Sequence, residues 1–142
     1  MDIMNTENVV YILVVVDAGR AVSSNDLKGS FYLFSTSGYH GTGKPTTTVR
    51  KGDKIIWRAM SIDATLLVEI AGFAGPAVPG MVNPAPMNEP GPPMWSSLVT
   101  RRGLDVPYEM TLVFNETKHS CTCMLTTVEP RSEADASEQG SE

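Results

Sequence analysis

The chain has 142 residues, 42% hydrophobic and 19% charged, with a formal charge of −5 and a sequence pI near 5.0. That composition supports one folded domain with a real core and excludes a disordered chain. Lys and Arg form no cluster larger than the pairs Arg50-Lys51 and Arg101-Arg102, so the electrostatic footprint of a nucleic-acid binder is missing and anionic membrane surfaces are poor partners.

The first element is VVYILVVV, Val9 to Val16, rich in β-branched residues and free of charge. It reads as a strand buried on both faces. It is too short to span a bilayer, which takes roughly 20 residues in a helix. No basic residue precedes it and Asp17 follows it, so it lacks the pattern of a signal peptide. The expectation is a cytoplasmic protein that begins at or near Met1, with export by a route lacking a cleaved signal left open.

FYLFST, residues 31–36, is a second, aromatic strand. GYHGTGKP follows and misses the phosphate-binding pattern G-x-x-x-x-G-K-[ST] by one residue, Pro45. A P-loop needs a helix after it and a hydroxyl for Mg²⁺. TTTVRKGD supplies neither, because it is β-branched and ends in a turn, and Pro45 turns Lys44 away from helical geometry. The stretch reads as a connection between strands, and ATP or GTP is not expected to bind.

Two more strands are predicted over Thr46–Arg50 and Lys54–Met60, joined by Lys-Gly-Asp, where Gly52 can take positive φ. Trp57, between Ile55 and Ala59 on its strand face, reads as core. Residues 65–71, TLLVEIA, form a further strand with one apolar face. Residues 76–93 then hold seven of the ten prolines, a composition that cannot sit in a central strand. This long excursion carries Met81, Met87 and Met94 and leads into Trp95. Methionine adapts to imperfect contacts, so these four residues are the candidate contact loop, over 76–94. Trp95 itself is open to two readings, covering an end of the sandwich or stacking on a ligand. Trp95–Val99, residues 108–115 and residues 121–128 complete the strands. Residues 131–142, RSEADASEQGSE, carry four acids and almost nothing apolar and are expected to be disordered.

No window carries a helical apolar period over three turns, so no β-α-β crossover and no parallel sheet is expected. The prediction is an all-β chain: a single antiparallel β-sandwich of about seven to eight strands over 1–130, with a long Pro-rich loop and an acidic tail over 131–142.

Chemistry has little support in the sequence. His119, Cys121, Cys123 and Met124 are blue-copper ligand types. Alternation along one strand, however, sets His119, Cys121 and Cys123 in a row rather than around an ion. The favoured reading makes the cysteines small core residues. Their Cα atoms would lie roughly 6.6 Å apart, poorly placed for a disulfide, so reduced thiols are expected. Asp53, Asp63, Glu69 and Glu109 are not paired by the sequence, and no G-x-S-x-G elbow is present. No catalytic, cofactor or metal residues are predicted.

The order of YILVVVDAGRAV, LKGSFYLFSTSGYHGTG, VRKGDKIIWRAMSID, VEIAGFAGPAVPGMVNP, PYEMTLVFN and MLTTVEP, from about Val9 to Pro130, resembles the bacterial AidA/PixA inclusion-body protein family. The resemblance implies a compact β-sandwich without assigned catalysis and with no catalytic residues to carry over. AidA-like members are linked to acyl-homoserine-lactone quorum sensing and nematode killing. PixA-like members are Met-rich and accumulate as cytoplasmic inclusions, and eight methionines here suit that group. HSCTC departs from the family, where aromatic or acidic residues are more usual. The expected function is non-enzymatic accumulation, self-association or contact with a host target, with no nucleic acid, membrane or cofactor as partner. The alternative is a small-ligand or glycan-binding module built on the Pro/Met-rich loop and Trp95.

Overall fold

The computed structural model describes residues 8–24, 31–36, 38–41, 45–63, 66–88, 90 and 93–128. The predicted acidic tail lies outside them. Among the described residues ten strands form two sheets: β1 (Val9–Val16), β2 (Phe31–Ser35), β3 (Gly38–Gly41), β4 (Thr46–Arg50), β5 (Lys54–Ser61), β6 (Glu69–Ala74), β7 (Ala85–Pro86), β8 (Trp95–Leu98), β9 (Val106–Phe114) and β10 (Thr117–Val128). One sheet has the order β3-β2-β1-β5-β8-β7 and the other β4-β10-β9-β6. The all-β sandwich is as predicted.

Three features differ from the expectation. First, the sheets are mixed. β1 runs parallel to β5 and β4 parallel to β10, while the other pairings are antiparallel. A parallel pair needs a crossover, and here the chain crosses through the opposite sheet instead of through a long helix. It leaves β1, passes through β2, β3 and β4, and returns as β5. Second, a short helix, α1 (Ala18–Ser24), follows β1. Asp17 starts it: its Oδ1 accepts from the Arg20 N–H at 3.1 Å and its carbonyl accepts from the Ala21 N–H at 2.9 Å. With seven residues, α1 is shorter than any apolar period that would reveal it. Third, β6 begins at Glu69 and runs to Ala74, four residues later than the predicted start.

The core lies between the sheets. β1 contributes Val10, Ile12, Val14 and Val16, and β5 adds Ile55 and Trp57. Opposite them are Tyr108, Met110, Leu112 and Phe114 of β9 and Cys121, Cys123 and Leu125 of β10. Each set alternates along its strand, as period-two geometry demands. Turns hold the register. Gly52 sits at φ 97° between β4 and β5, and the Arg50 N–H donates to Asp53 Oδ2 at 2.8 Å across that turn. The Asn115 and Glu116 positions, at φ 54° and 59°, form the tight link between β9 and β10.

Candidate interaction face

The prediction that β1 is buried on both faces holds for one face alone. Its other side presents Val9, Tyr11, Leu13 and Val15, and Tyr11 is 52% exposed. The register extends this apolar surface across the sheet. Leu13 pairs with Phe34 on one side and Arg58 on the other, Val15 with Tyr32 and Met60, and Tyr11 with Ile56. Lys54 pairs with Leu98 of β8. Among the described outward-facing side chains of β1, β2, β5 and β8, Lys54 and Arg58 are the charged ones, and no carboxylate is present. The other sheet differs. Its outward positions on β9 and β10 include Glu109, Thr111, Lys118, Ser120, Thr122 and Thr126, the ordinary wetted face of an antiparallel pair.

The candidate contact loop is divided by the fold. Met81 is 4% exposed and belongs to the core with Ala77 and Val82, so it is not an exposed contact residue. The 76–82 segment is tied down by hydrogen bonds: the Ala77 N–H donates to Pro107 O, the Met81 N–H to Ala77 O, and the Thr100 N–H to Met81 O. Trp95 turns inward. It pairs with Trp57 across β5 and β8, and its ring lies 5.3 Å from Phe73, which lies 4.8 Å from Trp57. Trp95 therefore caps the core and is not an exposed stacking platform. Met94, one residue away and of opposite parity, lies on the outer face. Met87 donates its N–H to Met94 O at 2.8 Å, joining the edge of that face, while Ala85 and Pro86 form the edge strand β7. Proline is tolerated at an edge because no ladder partner is needed there.

A groove of about 260 Å³ lies on this face, lined by Tyr11, Ile12, Leu13, Ile56, Arg58 and Met94. A wider, more polar cleft of about 600 Å³ lies at one end of the sandwich, among Asn8, Thr36, Thr48, Arg50 and Val128.

The other predicted chemistry resolves simply. Cys121 and Cys123 are both buried thiols, and Cys121 Sγ donates to Met110 O at 3.7 Å. His119 continues their row and stacks on Phe114 at 4.3 Å with the rings 7° from parallel. Among the described residues, no three His, Cys, Asp or Glu side chains gather as a metal site. Trp57 is fully buried, as expected, and its indole N–H donates to the Tyr108 hydroxyl at 3.2 Å. In the near P-loop, Gly38–Gly41 is strand β3, Thr42 to Lys44 lie outside the described residues, and β4 follows where a phosphate-binding loop would need a helix. No helix among the described residues is long and apolar enough to cross a membrane.

The fold and this face define a two-sheet β-sandwich with one wetted outer face and one apolar outer face. Residues 8–120 match a family described as a domain of unknown function, DUF8788, and the chain belongs to that family. No curated protein matches it in sequence. Among solved structures it is similar to the PixA inclusion body protein from Burkholderia cenocepacia J2315, with a TM-score of 0.64 over 92% of this chain and 99% of that one. Identity is 10%, so the likeness is one of fold.

Proposed function

We propose that the protein acts without catalysis, by accumulating and associating with copies of itself, as an inclusion-forming protein of the PixA kind. The carrying observation is the apolar outer face of the β2-β1-β5-β8 layer. Four strands at about 4.8 Å spacing and some six residues at about 3.3 Å rise give a face of roughly 400 Å². A contiguous apolar patch of this size matches the largest patch found on an ordinary monomer, and such a patch is often a functional surface. Two such faces together approach the roughly 1,000 Å² at which an interface becomes specific, so the association is modest and concentration-dependent. Accumulation in the cytoplasm then supplies the concentration. The fold likeness to an inclusion body protein supports this reading, and the resemblance of the sequence to AidA-like proteins adds production under a population-density signal, with a host protein as a second occupant of the same face. A glycan platform is less favoured, because Trp95 is packed against Phe73 rather than exposed.

Sedimentation velocity over about 1–500 μM tests the proposal. The wild type should shift from monomer to larger species across that range. Replacing Leu13 and Met60 with Thr, which keeps strand propensity, should weaken association at least tenfold and leave the melting temperature within a few degrees. A wild type that stays monomeric throughout would overturn the reading.

A further inference from the structure

The groove on the outer face has the composition of a binding site for a small amphipathic anion. Leu13, Ile56, Met94 and the Tyr11 ring make apolar walls, and Arg58 is the charge among its lining residues. Ile12 is 1% exposed with its side chain in the core, so it contributes main chain to the floor. Arg58 is exposed, and among the described residues no carboxylate pairs with it. Its neighbours in register are Leu13 and, one strand further, Phe34. A guanidinium offers a planar fork of N–H donors that matches a carboxylate in bidentate geometry.

We infer that this groove binds an apolar monocarboxylate, with the carboxylate on Arg58 and the hydrocarbon along Ile56, Leu13 and Met94. Size sets the length. At about 30 Å³ per heavy atom, the groove of about 260 Å³ holds roughly nine atoms. A carboxylate of seven carbons has nine heavy atoms, one of eight carbons has ten and reaches the rim, and a long-chain one would extend beyond the walls. A polyanion such as a nucleotide is disfavoured, because one cation faces it and the walls are apolar. A sugar is disfavoured because its hydroxyls would meet few polar partners there.

The site lies within the proposed self-association face but does not depend on that association. Binding is therefore measured on dilute protein, at a concentration where sedimentation gives a single monomeric species. Equilibrium dialysis with labelled octanoate should show one saturable site per chain with Kd below about 1 mM. Octan-1-ol, of equal length and no charge, should bind at least tenfold more weakly. Arg58→Gln should weaken octanoate at least tenfold and leave octanol unchanged. Because Arg58 is exposed, that variant should melt within a few degrees of the wild type. Met94→Ser, which removes a wall and not the charge, should weaken both ligands. The inference is overturned by unsaturable uptake, by more than one octanoate per chain, or by equal octanoate binding in Arg58→Gln. A wild type that stays monomeric at all concentrations yet binds octanoate would reject the proposed function and leave this site standing.

Discussion

Trp57 and Tyr108 meet at the centre of the core, and the phenol satisfies the indole. The buried indole N–H has the phenol oxygen as acceptor at 3.2 Å, and the two rings meet edge to face at 6.1 Å. Beside them stand the two thiols. Burial, with the Cys123 sulfur adding to it, pushes the Tyr108 hydroxyl well above its usual 10. A hydrogen bond with Cys123, followed by burial, pushes the Cys121 thiol far up. Both groups thus keep their protons in the fold at pH values where an unfolded chain loses them, about 8.5 for cysteine and about 10 for tyrosine. The sign follows: above those values the unfolded state binds fewer protons than the native state, so stability falls as pH rises. The contribution is fully present below about pH 8.5, and each group then removes up to about 1.4 kcal/mol per pH unit. Urea unfolding at pH 8, 9, 10 and 10.5 should show the loss beginning near 9. In Cys121→Ala the onset should move toward 10, from a lower starting stability. An unchanged slope between pH 8.5 and 9.5 in that variant would mean the thiol titrates normally inside the fold.

At the scale of elements, parity along the strand separates Trp95 from Met94, and docking into the core puts Met81 on the same side of that division as Trp95. Composition suggested one adaptable contact surface over 76–94. The fold sends Met81 and Trp95 to the core and Met94 to the outer groove. Met81→Ser should therefore cost about 2–4 kcal/mol, from lost burial, a cavity and an unpaired hydroxyl, or about 10 °C in melting temperature. Met94→Ser should cost under about 1 kcal/mol, since its side chain lies on the outer face. Equal effects in thermal unfolding would contradict the division. β1, β2, β4, β5, β8 and most of β9 and β10 were legible in the sequence because β-branched and aromatic runs end at Gly, Pro, Asn or charged turns. Their neighbours were not. Pairing β1 with β5 depends on a crossover through the other sheet, which leaves no local pattern. Nor does the uniform run VVYILVVV reveal which side is covered, since Val10 and Val9 differ only in what the rest of the chain brings to them. The outer face was therefore invisible, although the residues that make it, Met94 apart, were all named as strand.

For the whole molecule, the apolar face that favours association is opposed by net charge. The chain carries −5 at pH 7. Residues 131–142 hold one Arg against Glu133, Asp135, Glu138 and Glu142, so that segment supplies +1 − 4 = −3 of the total and the rest of the chain −2. Like charge keeps copies apart over about a Debye length, close to 8 Å at physiological salt. Two conditions should then promote assembly through the same face. Lowering the pH toward the sequence pI near 5.0 removes the repulsion by protonating carboxylates. Ending the chain at Pro130 removes most of it at neutral pH. Sedimentation at pH 7.5 in 20 mM salt should show the shortened chain assembling at several-fold lower concentration than the full chain. At 300 mM salt, screening should bring the two together. The Leu13 and Met60 to Thr variant should stay less associated under all these conditions, because the attraction lies in the face and the charge only opposes it. If the shortened chain instead assembles less readily than the full one, the acidic segment is part of the contact. Lys54 and Arg58, the cations on the apolar face, would then be the first residues to test as its partners.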